Sequence, residues 1–338
     1  MNIDKLYKSL ESARKETDFK NIFLITSVKD YIDLLIEIKK TSKDNELWFR
    51  GQNDSSFHLI PNLMRHAYQV TNRTYNEIKP KLVNNYGAGG TVVMPNFLYM
   101  LNNFKIEIKK YIDITIKNDF EWLFLAQHYG MLTPLLDWSE DPLVALFFAI
   151  DNIVYNKEYK EYEDDEELGI FYNTASVFIL EPGILNSYSF FRKVVKKEDG
   201  SKEESNITEP IIINENNIKY FEQYIYNHKT TLCPICIKAK KNEYRIIRQS
   251  GNFLFQPADI TPIELKGSLP KECLYKIYIP YYFIKNIKKE LEALNITNKS
   301  LYGNNKKLEN DALKIKNKEY KKFIKYIEEL NKKYLNNT

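Results

Sequence analysis

The stretch "DWSEDPLVALFFAID" constrains the fold of this chain more than any other. Asp141 stands where an N-cap carboxylate accepts from the first free amides, and Pro142 where a missing N–H does no harm, so a helix begins here. From Leu143 to Ile150 every residue is apolar, which is the pattern of a helix buried on all sides. Such a helix belongs at the centre of a domain. Short strand patterns precede and follow it: "LWFRG", "SVFILEP", "LCPICIKA", "YRIIRQSGNFLF" and "CLYKIYIP".

Helices frame these strands. In "SVKDYIDLLIEIKK", Ser27 and Asp30 have capping-box spacing, and Tyr31, Leu34, Leu35 and Ile38 share one face. The segment from "FLYML" to "AQHYG" is helical in period and ends at Gly130, a natural C-cap. The chain turns helical again from Ile284 and closes with the charged amphipathic "KLENDALKIKNKEYKKFIKYIEELNKKYL". This order predicts an α+β fold: a mixed or antiparallel sheet core, a buried central helix, and helical additions at both ends. The expected division is an N-terminal helical extension over 1–24, the main domain over 25–300 and a charged helix over 301–338.

Composition narrows the function classes. With 43% apolar and 14% aromatic residues the chain can bury a large core, and the formal charge of +4 comes from 49 basic against 45 acidic residues. That near balance, spread along the chain, argues against a polycationic nucleic-acid tail. The charged N-terminus is unlike a secretion signal, and "PLVALFFAI" is about half of the ~20 residues a membrane span needs. A cytoplasmic protein without membrane contact is expected. Heavy use of Lys, Asn, Ile and Tyr fits a bacterial or phage host. The three cysteines fit a reducing compartment; Cys233 and Cys236 have zinc-type spacing, which Cys273 and His228 could complete, but "TLCPICIKA" reads as a buried strand and no metal is expected.

Polar chemistry concentrates in "WFRGQ" (48–52), "QHYGMLTPLLDWSEDP" (127–142) and "RIIRQSGNF" (245–253). Arg50 sits inside an apolar run, where a guanidinium is costly unless its five donors are met. Gly51 lets a ligand or a second backbone come close. Gln127, His128 and Tyr129 stand at a helix end, Asp137 before a helix start, and Arg245, Arg248 and Gln249 before a strand. Arg50 and Asp137 alone could form a buried ion pair; an imidazole, a tyrosine and amides beside them exceed what one such pair needs. Trp48, Trp138 and Phe253 read as core packing that can also wall a pocket. The glycine-rich stretch 85–96 reads as a surface loop, with a lid as the alternative.

These motifs, "WFRGQ", "LIPNLMR", "QHYGMLTPLLDWSEDPLVALFFA" and "RIIRQSGNF", resemble in order the FRG domain family, named for the Phe-Arg-Gly triplet that is here Phe49, Arg50 and Gly51. Leu132 and Pro134 depart from the family's usual proline and arginine, and Gly303 and Asn304 from its closing segment. The aromatic-Arg-Gly strand is in turn similar to the first strand motif of arginine-type ADP-ribosyltransferases. That likeness implies an NAD-binding enzyme, a toxin or phage-defence effector, with Arg50, His128 and Gln249 as catalytic residues. It implies cofactor contacts from Arg50, Gly51, Gln52, Gln127, Tyr129, Asp137 and Arg248. Gln249 replaces a usual glutamate and Glu243 is an alternative carboxylate. The partners it implies are a nucleotide-like small molecule and a protein or nucleic-acid target. Two other readings stay open: a phosphodiester hydrolase built on His128 and Asp137, and a non-catalytic module that recognises a nucleotide or nucleic-acid end.

Overall fold

The computed structural model describes residues 3–16, 21–84, 86, 89–111, 116–153, 174–189, 192–196, 201–226, 234–239, 249–257, 259–301 and 306–337. Its strands are β1 (Ile22–Leu24), β2 (Trp48–Gln52), β3 (Tyr68–Thr71), β4 (Glu77–Leu82), β5 (Val92–Val93), β6 (Leu135–Ser139), β7 (Thr174–Leu180), β8 (Arg192–Lys196), β9 (Lys202–Asn206), β10 (Ile211–Ile212), β11 (Ile235–Lys238), β12 (Gly251–Phe255) and β13 (Leu274–Pro280). Its helices are α1 (Ile3–Glu16), α2 (Val28–Thr41), α3 (Phe97–Ile108), α4 (Asp119–His128), α5 (Pro142–Ile150), α6 (Pro182–Ser187), α7 (Ile218–Tyr226), α8 (Ile284–Ala293), α9 (Asn298–Leu301) and α10 (Lys306–Asn337). The fold is α+β.

Eight strands form one mixed sheet in the order β1-β13-β7-β2-β6-β12-β11-β10. Its two end pairs, β1 with β13 and β10 with β11, are parallel and the pairs between them antiparallel. Seven consecutive buried residues in β7 mark it as a central strand covered on both faces. β1 makes the segment that follows α1 an edge of the main sheet, and Leu6, Leu10 and Ala13 of α1 pack on Ile22, Leu24 and Tyr278.

α5 lies on the face of the sheet that carries Phe49, Val177 and Ile279, and buries Val144, Ala145, Leu146, Phe147, Ala149 and Ile150 there. Its start is as expected: Asp141 Oδ1 accepts from Leu143 N at 2.8 Å, and Tyr31 Oη donates to the Pro142 carbonyl at 3.1 Å. One part of the expectation fails. Phe148 is only half-buried, so the helix is not covered all round; that side opens on the cleft described below.

The expected single helix ending at Gly130 is also two. Asn118 starts α4 by accepting from Glu121 N at 3.0 Å, and Asp119 and Glu121 favour the positive end of the helix dipole. The first helix, α3, has already ended at Ile108, and the cap at Asn118 begins a second. At the C-terminus, α10 runs against α3 and against the small sheet β4-β3-β5, burying Ala312, Phe323 and Ile327.

Candidate functional site

β2 follows β7 through five register pairs but meets β6, on its other side, at one pair only, Phe49 with Ser139. β6 meanwhile pairs with β12 along five residues. The sheet is therefore split between β2 and β6, and a cleft of about 650 Å³ lies there, lined by residues of β2, β6, β12, α4 and α5. A split leaves main-chain groups without ladder partners, and side chains have to meet them.

Arg50 does so. Its Nη1 donates to the Asp137 carbonyl at 2.7 Å and lies 3.8 Å from Asp137 Oδ2. Arg50 keeps 21% of its side-chain area accessible and Asp137 54%, so both are ringed by protein yet wetted from the cleft. Their charge attraction is screened accordingly, and the short bond to the backbone is the firmer contact. Burial pulls the Arg50 guanidinium down to about 10, with Asp137 opposing the fall and Arg65 adding to it. Burial likewise pushes the Asp137 carboxyl up from the ordinary 3.8, against Arg50 and the Gln127 hydrogen bond.

Gln127, near the end of α4, donates Nε2 to Asp137 Oδ2 at 2.8 Å, and its Oε1 accepts from Thr133 Oγ1 at 2.5 Å. The carboxylate is thus held from a second element. The helix stops beside it because Gly130 takes φ +77°, a conformation that suits glycine. His128 lines the cleft; Tyr129, next to it, is 8% exposed and packs against Phe104 in the core. Arg50, Gln52, Gln127, His128, Asp137 and Gln249 therefore share one cleft, and Tyr129 stands behind it.

Gly51 lines the cleft too, but its missing side chain answers to α5. A Cβ there would lie 2.0 Å from the Ala145 carbonyl and 2.4 Å from Ala149 N, so the close approach is by a second backbone. Gln249 has its backbone carbonyl held by Ser139 Oγ at 2.7 Å and its side-chain Nε2 on the Leu301 carbonyl at 3.3 Å. Arg245, Arg248 and Glu243 lie outside the described residues, as do His228, Cys233, Gly303, Asn304 and part of the 85–96 loop. Cys236 and Cys273 are buried in one apolar cluster with Trp48 and Trp138; burial raises both thiols, Cys273 to about 12. Among the described residues, no group of three or more His, Cys, Asp or Glu side chains is placed to hold a metal ion.

The cleft also holds residues that the sequence did not single out as site residues: Arg65, Asn62, Phe57 and Phe148. Arg65 belongs to "LIPNLMR", and its signal was a second arginine in a stretch already set apart by its likeness to the family. Three cleft-lining side chains carry a buried atom without a hydrogen-bond partner among the described residues: Arg50 Nε, Trp138 Nε1 and Gln52 Oε1. Two donors and one acceptor are thus buried at the cleft wall without a partner among the described residues.

A family model, the FRG domain, matches residues 45–158, the segment that runs from β2 through α5. The chain carries an FRG domain. No curated protein and no solved structure matched the chain in the corresponding comparisons. The FRG match takes in both arginines, the end of α4 and Asp137, so the family segment and the cleft largely coincide; β12 and Gln249 are supplied from beyond it. Among the described residues, no helix is long and apolar enough to cross a membrane.

Proposed function

We propose that the FRG domain binds NAD in the β2–β6 cleft and breaks its nicotinamide–ribose bond, passing the ADP-ribosyl group to water or to a macromolecular acceptor. One observation carries the reading: Arg50 of β2, Gln127 and His128 of α4, Asp137 of β6 and Gln249 ahead of β12 meet in a single cleft whose wall buries polar atoms without partners among the described residues. The donor set fits the group. A guanidinium suits a phosphate, Gln52 Oε1 suits a ribose hydroxyl or carboxamide N–H, and the half-buried Phe148 offers apolar surface to a ring.

In this reading the glycosidic C–N bond breaks, nicotinamide leaves with the bonding electrons, and the acceptor oxygen or nitrogen bonds to the ribose carbon and loses its proton. Positive charge grows on that carbon, and a fixed carboxylate stabilises it where an amide does not. Gln249 is an amide tied to Leu301, so the role passes to Asp137, the carboxylate among the described cleft residues. Loss of cellular NAD is the form that a toxin or phage-defence role would take.

The test is nicotinamide release from NAD, followed by chromatography, for wild type, Arg50→Ala, His128→Ala and Asp137→Asn. Release that falls in all three folded variants supports the reading. No release by wild type, with and without candidate acceptors, sinks it. The excess of two arginines over one carboxylate favours a second reading, a module that binds a nucleotide without cleaving it.

A further inference from the structure

Arg50 and Arg65 line the same cleft, and the Arg50 guanidinium feels the charge of Arg65. Gln52 stands two residues after Arg50 on β2, so their side chains leave the same face of the strand. Gln52 Nε2 donates to the His58 carbonyl at 3.4 Å, and Arg65 Nη2 donates to that same carbonyl at 2.6 Å. The Arg65 guanidinium is therefore the next polar group along the wall, set over the Phe57 ring at 5.6 Å.

Arg65 is held in place from behind. It lies in the 3-10 turn Met64–His66, whose Met64 is buried and whose His66 packs edge-on against Tyr320 of α10, ring centres 4.8 Å apart. Glu264 acts on Arg65 only at a distance, because its oxygens accept from Leu59 N at 3.1 and 3.2 Å and pair with His58 Nδ1 at 2.8 Å. Among the described residues, Arg65 forms no ion pair with a carboxylate, and Arg50 Nε has no hydrogen-bond partner.

We infer that the cleft is built for two linked anionic groups, a diphosphate, held between Arg50 and Arg65, with Gln52 Oε1 reading a donor beside it. A single phosphate can satisfy one fork; a diphosphate neutralises both cations and relieves their repulsion. The inference rests on the nucleotide-binding reading above and adds Arg65 as a second anion clamp that sets ligand class.

Calorimetry on the full chain with ADP, AMP and inorganic pyrophosphate tests it, beside the nicotinamide-release assay. ADP should bind wild type about tenfold or more tighter than AMP, the scale of one charge-assisted contact. Arg65→Gln, which keeps a donor for the His58 carbonyl, should bring ADP and AMP within about threefold of each other while leaving AMP nearly unchanged. Should that variant fold poorly, the wild type decides alone: pyrophosphate must compete with ADP better than orthophosphate does. Equal affinity for ADP and AMP in wild type, equal loss of both in Arg65→Gln, or tighter binding of an oligonucleotide than of ADP overturns the inference. Nicotinamide release without an ADP preference would sink the diphosphate clamp and keep the cleavage reading; an ADP preference without release would do the reverse.

Discussion

Arg50 Nη1 donates to the backbone oxygen of Asp137 at 2.7 Å and stands 3.8 Å from the same residue's carboxylate. One residue thus meets the guanidinium twice, and the two contacts do different work. The carbonyl bond replaces a ladder bond lost at the β2–β6 split. The looser charge contact leaves both groups available to a ligand.

That division separates two variants. Arg50→Ala strips the Asp137 carbonyl of its donor and should lower stability by about 1–3 kcal/mol while weakening NAD or ADP binding at least tenfold. Asp137→Asn keeps the carbonyl and a side chain of the same shape, so stability should stay within about 1 kcal/mol of wild type. Nicotinamide release should nevertheless drop by about 100-fold or more. Chemical denaturation paired with the release assay reads both; an Asp137→Asn protein as active as wild type would move the chemistry elsewhere.

The acid limb of the rate profile should also report Asp137. Its carboxyl titrates above the ordinary 3.8 because of burial, and the ionised form is the one that stabilises positive charge. Activity should therefore rise with pH through a value above the ordinary 3.8, and Asp137→Asn should lose that limb. The stability sign is opposite: the native state holds this proton more tightly than the unfolded chain, so its contribution is present at low pH and fades as pH climbs through the raised value.

Gly51→Ala tests the helix against the strand. The new Cβ would meet the Ala145 carbonyl at 2.0 Å and Ala149 N at 2.4 Å, both rigid backbone, so α5 must move off β2. A loss of about 3 kcal/mol or failure to fold is expected. Unchanged melting would mean that α5 sits farther from the sheet.

Lys276, outside the cleft lining, supplies a second pH signature. Burial pulls its amine down from 10.5 to about 8, Glu264 and Asp54 opposing, while Nζ donates to the Ser55 carbonyl at 2.7 Å. The unfolded chain keeps this proton up to the ordinary value and the native state releases it near 8, so stability should rise with pH between the two. Lys276→Met should flatten that rise in denaturation midpoints measured from pH 7 to 10.5.

Much of this was legible in the chain. Asp141-Pro142 and the apolar octet after them specified α5 by local chemistry, and Ser27 and Gly130 marked their elements as clearly. The start of α4 at Asn118 was legible too, but helical periodicity on both sides of it hid a cap whose meaning depends on where the chain turns. The polar residues that gather in the cleft stood in the quoted motifs: Gln127 and His128 end α4, whereas Arg50 and Asp137 sit in the middle of β2 and β6. The sequence by itself determined which elements form and which polar groups sit at their ends, since caps, periodicity and burial act over a few residues. Only the tertiary structure decided that β2 and β6 part after one pair, that Gly51 answers to a helix backbone, that Tyr129 turns into the core, and that Arg65 shares a carbonyl with Gln52. Those are contacts between segments distant in the chain, set by how a sheet packs on its helices.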